Sequence, residues 1–531
     1  MSNKRLLKST GVIGLATLSS RILGFIRDII IANFFGTTMF AEAFVISFRI
    51  PNLLRDLIGE GAANAAFVPV LTEYHTKHSR EEFWNLARNL LYILAVILFI
   101  ISLCGIIFAP LIVKAIAPGF MNDAQKLDIT INLTRMMFPF IFLIGLVAYG
   151  MGVLNSLNHF IVPALGPALL NISIISFTAY YMWFLKALPS VGVKILALAV
   201  LVGGALQVIS MGAVLYRKGL RIPGPLTPHR PKGSIFQPAI KKIWRLMVPR
   251  FFGSAVYQLS VIVDNIFSTF EWIVGAGAPA ALWYSYRLFH LPLAIFGISL
   301  ATVALPKMSK EVALNDISAF RETINFSMRS VFLVLIPASI GLATLGKPII
   351  TALFQRGEFT AYSTLITQDA LFFYSFGLFA CGGIKILVNS FFSLGDTKTP
   401  VKTASVAFFI NLVLNYALMW RLKIGGLALA TSIAATFNFL ALYVLLVKKI
   451  GDIGTEKMLK YLARILLAGF AMGVFSYFAG NFLSRIESST FINIIGIIVV
   501  MLLSAAIYVL TGLALGVKEL NRIIGWIFKK G

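Results

Sequence analysis

The sequence predicts an all-α polytopic membrane protein with about 14 transmembrane helices. These form two six-helix lobes around a central cavity, followed by two C-terminal helices. Three observations lead there. Of 531 residues, 58% are hydrophobic and 13% charged, where a soluble chain carries about 25% charged, and the mean hydropathy is +0.87. The apolar runs are continuous rather than alternating, which excludes a transmembrane β-barrel. The second and eighth runs resemble one another, as duplication of a six-helix unit requires.

Charge-poor runs long enough to span fall at 8–33, 37–70, 86–113, 129–155, 160–185 and 195–216. A connection follows that is rich in proline and basic residues (Arg221-Ile-Pro-Gly-Pro, Thr227-Pro-His-Arg-Pro), unfit for a regular helix and suited to a surface linker. Further runs occupy 246–270, 278–306, 324–346, 361–394, 403–420, 424–447, 461–484 and 489–517. Runs 37–70 and 361–394 exceed one membrane thickness, so tilted or broken helices are expected there. The expected division is an N-terminal lobe over 1–216, a basic linker over 217–245, a C-terminal lobe over 246–447, and a terminal pair with its tail over 448–531.

The repeat is carried by Phe48-Arg49-Ile-Pro-Asn-Leu-Leu against Tyr286-Arg287-Leu-Phe-His-Leu-Pro. A second match sets Ala65-Ala-Phe-Val-Pro69 against Thr302-Val-Ala-Leu-Pro306. The alignment needs one gap.

The net charge of +25 would suggest nucleic acid in a soluble chain, but its distribution argues otherwise. Loops on the side of both termini carry 27 lysines and arginines and the opposite loops 9, with Lys126 among the latter. By the positive-inside rule both termini are cytoplasmic. The N-terminus has a basic, apolar start, but Arg21 and the helical continuation to Phe35 argue for an uncleaved first span. Cys104 and Cys381 lie far apart in apolar runs and read as small buried hydrophobes.

Ten basic residues remain within the runs: Arg21, Arg27, Arg49, Arg55, Arg88, Arg135, Arg250, Arg287, Arg329 and Lys385. Arg88, Arg135, Arg250 and Arg329 lie near helix ends and read as snorkelling side chains. The others concentrate in Arg21-Ile-Leu-Gly-Phe-Ile-Arg27-Asp28 and Arg49-Ile-Pro-Asn-Leu-Leu-Arg55-Asp56, with Glu42 and Glu60 nearby. A charge at the centre of a membrane helix costs about 2.5–3.5 kcal/mol on insertion scales, so this many must line a polar interior. Arginine stays charged when desolvated, and its planar fork matches phosphate oxygens. The set therefore points to a multivalent anion, phosphate or diphosphate first, with Asp28 orienting a neighbouring arginine. An internal salt-bridge network without a ligand is the competing reading. His290, three residues after Arg287, reads as a core histidine or a group titrating at the cavity.

No Walker loop, dinucleotide fingerprint or H-E-x-x-H is present, which disfavours ATP-driven and zinc-protease chemistry. His75 and His78 read as a solvated turn. The terminal spans carry no charge to a cavity; they are either scaffold or the walls of an apolar groove.

Several stretches resemble the signature of the MurJ/MviN lipid II flippases. They are Ser20 to Asp28, Phe48 to Arg55, Gly59-Glu-Gly-Ala, Ala66 to Tyr74, Tyr286 to Thr302, Leu353 to Phe359, Leu394 to Pro400 and Gly425 to Thr431. The resemblance implies membership of the MOP exporter superfamily, whose two lobes enclose a V-shaped cavity while two extra helices form a groove for a polyprenyl tail. It implies a rocking-bundle, non-enzymatic flippase in the bacterial inner membrane. The chain would then move undecaprenyl-diphosphate-linked peptidoglycan precursor from the inner to the outer leaflet. Arg21, Arg27, Arg55 and Arg287 match the family's cavity arginines, Asp28 the adjacent acid, and Arg49 and Glu42 a basic and an acidic position; Glu42, Glu60 and His290 are cavity or gate candidates. Some relatives bind a cation between spans seven, eleven and twelve, and Asp264 falls in that region. No cofactor is implied beyond coupling to a monovalent cation or proton. The expected partners are lipid II, membrane lipids and cell-wall synthesis enzymes, with no nucleic acid, and the expected state is a monomer. The rivals are an ion-coupled exporter of another lipid-linked glycan or a drug, and a membrane scaffold for cell-wall enzymes.

Overall fold

The computed structural model describes residues 3–55, 64–181, 184, 188–221, 238–483 and 490–521. The side chains of 3–18, 54–55, 64–65, 246, 248–257 and 490–491 are outside this description. The chain divides into two compact units, Met1–Thr269 and Phe270–Gly531.

The first unit contains α1 (Asn3–Phe35), α2 (Met39–Arg55), α3 (Asn64–Lys77), α4 (Arg80–Ile107) and α5 (Ala109–Ile116). A 3-10 turn over Pro118–Asn122 leads to α6 (Ala124–Met137), α7 (Pro139–Ser156), α8 (Ile161–Tyr180), α9 (Pro189–Lys218) and α10 (Pro238–Ser268). Within it α1 packs on α8, α8 and α7 on α9, α4 and α3 on α7, α2 on α6, and α10 on α3. Local chemistry sets the ends. Ser79 and Glu82 form a reciprocal capping box at the start of α4. Pro139, lacking an N–H, opens α7 directly after α6 ends. Gly219 follows α9 at φ 121°, a conformation that disfavours any side chain.

The second unit comprises α11 (Glu271–Val274), α12 (Ala278–Pro292), a π-helical turn over Leu293–Ile298, α13 (Ser299–Ala313) and α14 (Ile317–Phe354). It continues with α15 (Ala361–Ser375), α16 (Leu378–Ser393), α17 (Lys398–Ile450), α18 (Thr455–Leu483) and α19 (Thr490–Ala514). Here α14 packs on α15, α16 and α18, α17 on α15 and α16, α12 on α15, and α18 on α19. Pro292 removes a backbone donor where the π turn starts. The helix α17 is two helices joined at Lys423, whose φ of 49° and ψ of −130° are non-helical.

Among the described residues nine helical segments are long and apolar enough to cross a membrane, ten if α15 and α16, bent by 45°, are one span. The run 361–394 is thus broken as expected, and 37–70 holds α2 and the start of α3. The expected 403–420 and 424–447 part at Lys423. The helix α10, expected with the C-terminal lobe, packs within the first unit. Lys242 Nζ donates to Glu73 Oε2 at 2.6 Å across α10 and α3, and this bond holds the Glu73 carboxyl below its usual pKa.

Candidate functional site

Arg27 is 7% exposed and Asp28 1%. Arg27 Nε and Nη2 both donate to Asp28 Oδ1, at 3.0 and 2.7 Å. Its Nη1 donates to Asn171 Oδ1 at 2.9 Å, and Asn171 Nδ2 donates to the Ser20 carbonyl at 2.9 Å. Ser20, Gly24 and Arg27 fall within about 60° of one another on a helix, so one face of α1 meets Asn171 on α8. Asn171 Nδ2 lies 3.4 Å from where a Gly24 Cβ would stand. The motif therefore has a packing reason besides a chemical one. A carboxylate and a guanidinium so joined are neutral together, and that is how such charges persist in a low-dielectric interior.

Arg21 lies on the edge of this face and is exposed. Arg49 is half-buried on α2. The backbone of Arg55 ends α2, but its side chain, and Glu60 altogether, lie outside the described residues. Asp28 holds the adjacent Arg27.

Glu42 is 1% exposed and ion-paired with Lys126 Nζ, itself 2% exposed. The assignment of Lys126 to a loop is thereby corrected: Asp123 caps α6 by accepting from the Lys126 N–H at 3.0 Å, and the ammonium points into the protein over the Phe120 ring at 4.4 Å. The sequence hid this because Asn122, Asp123, Gln125 and Asp128 make the segment read as polar.

In the second unit Arg287 is half-buried on α12 with its guanidinium 4.5 Å from the Trp283 ring, an arrangement suited to arginine's weakly hydrated plane. His290, half-buried, lies with its ring 5.4 Å from that of Tyr286. Asp264 is half-buried on α10, and no cluster of three or more His, Cys, Asp or Glu suited to a metal occurs among the described residues. A neutral cluster missed in the sequence lies across the bend of α17. There Asn411 Nδ2 donates to Thr431 Oγ1 and Asn415 Nδ2 to Asn411 Oδ1, both at 3.2 Å.

Two other expectations are corrected. Arg329 does not snorkel: it pairs with Glu519 at 3.1 Å and lies over the Tyr461 ring at 5.1 Å. Cys104 is exposed rather than buried, because its side of α4 faces outward from the unit. Of the terminal helices, α18 lines an apolar groove of about 560 Å³ together with α14, through Leu466, Phe470, Val474 and Tyr477 against Ile340 and Thr344.

This all-helical membrane chain, with charge buried in its first unit and an apolar groove in its second, has the fold seen in transporters of the MOP superfamily. An inward-facing MATE-family multidrug transporter of that superfamily shares the fold at a TM-score of 0.69, 13% identity, and coverage of 83% of this chain and 99% of its own. The chain belongs to the lipid II flippase MurJ family, whose model matches residues 31–495. A probable lipid II flippase MurJ of Buchnera aphidicola subsp. Schizaphis graminum is 33% identical over 518 residues, 97% of this chain and 98% of the relative. That of Vibrio cholerae is 35% identical over 477 residues, 88% of each. A solved structure of lipid II flippase MurJ in an inward closed conformation matches at a TM-score of 0.76 and 25% identity, covering 96% of this chain and 99% of its own.

Proposed function

We propose that this chain is a lipid II flippase of the bacterial inner membrane that carries the diphosphate-linked head of the precursor across by alternating access. The observation that carries the reading is family membership over nearly the whole length, 97% in the Buchnera relative. The arginine set supplies the chemistry that a diphosphate needs. Arg21 and Arg287 are the primary phosphate ligands, since one is exposed and the other is half-buried with its guanidinium over the Trp283 ring. Arg49 and Arg55 extend the cationic surface. Arg27 enters only if the ligand competes with Asp28 and Asn171 for its donors. That competition keeps the hold modest, as a carrier requires, because a ligand bound equally well in both states drives no transition.

The groove along α14 and α18 keeps the polyprenyl tail in an apolar setting while the head moves. On this reading the repeat defines lobes over 1–216 and 246–447, with 217–245 as a cytoplasmic linker and 448–531 as the tail-binding end. Both termini are cytoplasmic, the chain acts as a monomer, and cell-wall synthesis enzymes are its partners. The MATE neighbour shares only the fold, so export of a drug or another lipid-linked glycan is the second reading.

The test is flipping of labelled lipid II in vesicles holding the purified chain, with and without a membrane potential or a sodium gradient. Wild type should flip, while Arg21→Ala and Arg287→Ala should reduce the rate at least tenfold with folded protein still in the membrane. Full activity in both variants removes the arginine clamp. Preference for a soluble cation or a different glycan head favours the second reading.

A further inference from the structure

We propose that Lys126 is a positioning residue. With Glu42 it heads a polar seam that sets the rotation of α2, the helix bearing Arg49, against α6. The transport part of this inference rests on the flippase reading; the structural part does not. The seam has two levels. At one end the Lys126 ammonium meets the Glu42 carboxylate, both almost wholly buried, with Phe120 covering the ammonium. Further along, Ser47 Oγ donates to the Thr130 carbonyl at 2.9 Å and Thr134 Oγ1 to Ser47 Oγ at 3.1 Å. Lys126, Thr130 and Thr134 recur every fourth residue and so form one stripe of α6, and Thr130 and Thr134 are fully buried.

Lipid supplies little preference between one rotation of an apolar helix and another, since its tails are as apolar as the helix surface. A turn of α2 by one residue, about 100°, would take Ser47 off its threonine partners and draw Glu42 from Lys126. The two charges would then be separated in a dry interior, where parting a buried ion pair is strongly disfavoured. The seam therefore selects one rotation, and Arg49, two residues beyond Ser47, is aimed by it. The seam also has a neighbour: the turn that carries Phe120 is tied to the end of α10, the Gly119 N–H donating to Thr269 Oγ1 at 3.1 Å.

The experiment compares Glu42→Gln, Lys126→Met, the two together, and the exchange Glu42→Lys with Lys126→Glu, in the full-length chain. Three quantities are read: thermal midpoint, lipid II flipping in vesicles, and the distance between spin labels at positions 52 and 135, with Cys104 and Cys381 replaced by alanine. Each single variant breaks the buried pair and should lower both midpoint and flipping. The paired apolar variant should recover the midpoint, yet flip about tenfold more slowly and show a broadened distance. The exchange should restore all three. A paired variant with wild-type flipping and one narrow distance overturns the proposal, even if the single variants fail to fold. If wild type flips no lipid II while the distances behave as stated, the flippase reading falls and the positioning role stands.

Discussion

The two units solve the same problem in opposite ways. Among the described residues, the first unit places ion pairs in its interior, Arg27 with Asp28 and Glu42 with Lys126, each side chain at most 8% exposed. The second holds its interior together with neutral bonds such as Asn411 to Thr431, or Ser432 Oγ to the Phe373 carbonyl at 2.7 Å. Its pairs Lys449–Asp396 and Lys460–Glu456 stand near helix ends with lysines 42% and 69% exposed, while Arg329–Glu519, reached from α14, is deeper, at 23% and 14%. Buried pairs gain little net stability over apolar residues but penalise every arrangement that separates them. The difference teaches that the first unit is built to hold particular side-chain orientations, and the second to be a stable wall.

The sharpest way to break this comparison is to remove one interior charge. Asp28→Asn leaves the Arg27 guanidinium buried with only a neutral amide, and should cost about 3–5 kcal/mol, read as a lost thermal midpoint or failed membrane accumulation. A retained midpoint would mean that the first unit is not organised by its pairs. Next, Gly426→Ala attacks the second unit through its backbone. A Cβ there would stand 2.5 Å from the Leu418 carbonyl oxygen, so the join in α17 must shift, at about 1–3 kcal/mol.

Asp396 gives a smaller, pH-dependent effect. It accepts from Lys449 Nζ at 2.6 Å and from the Thr399 N–H at 3.0 Å, and these bonds hold its carboxyl well below the ordinary range. Because the folded-state pKa is depressed, this stabilisation is complete above the unfolded value of about 3.9 and fades as pH falls below it. Asp396→Ala should cost about 1 kcal/mol at neutral pH, and Asp396→Asn should flatten the acid limb of the midpoint-versus-pH curve. Smallest of all, Lys460→Met, which breaks an exposed pair on α18, should shift stability by under about 0.5 kcal/mol.

The membrane class and the all-helical architecture were legible in the sequence, because continuous hydropathy is a strong one-dimensional signal. The break between α15 and α16 was foreseeable from length alone. Lys126 was not, since a polar neighbourhood hides a helix start that turns its charge inward. Asn171 gave no signal either: one amide in an apolar run says nothing until Arg27 is brought to it from 144 residues away. The side to which α10 packs was also hidden, because the proline-rich segment before it marks a change of composition rather than of partner.

The terminal helices are bolted rather than merely laid against their neighbour. Tyr461 Oη donates to the Arg329 carbonyl at 3.0 Å and Tyr508 Oη to the Leu333 carbonyl at 2.9 Å, two phenols fastened one turn apart on α14. A long hydrocarbon chain lying beside them meets a rigid rail. Any bending needed to follow the rail falls to the chain's own torsions, and lipids with stiffer or shorter tails should be sorted by how readily they comply.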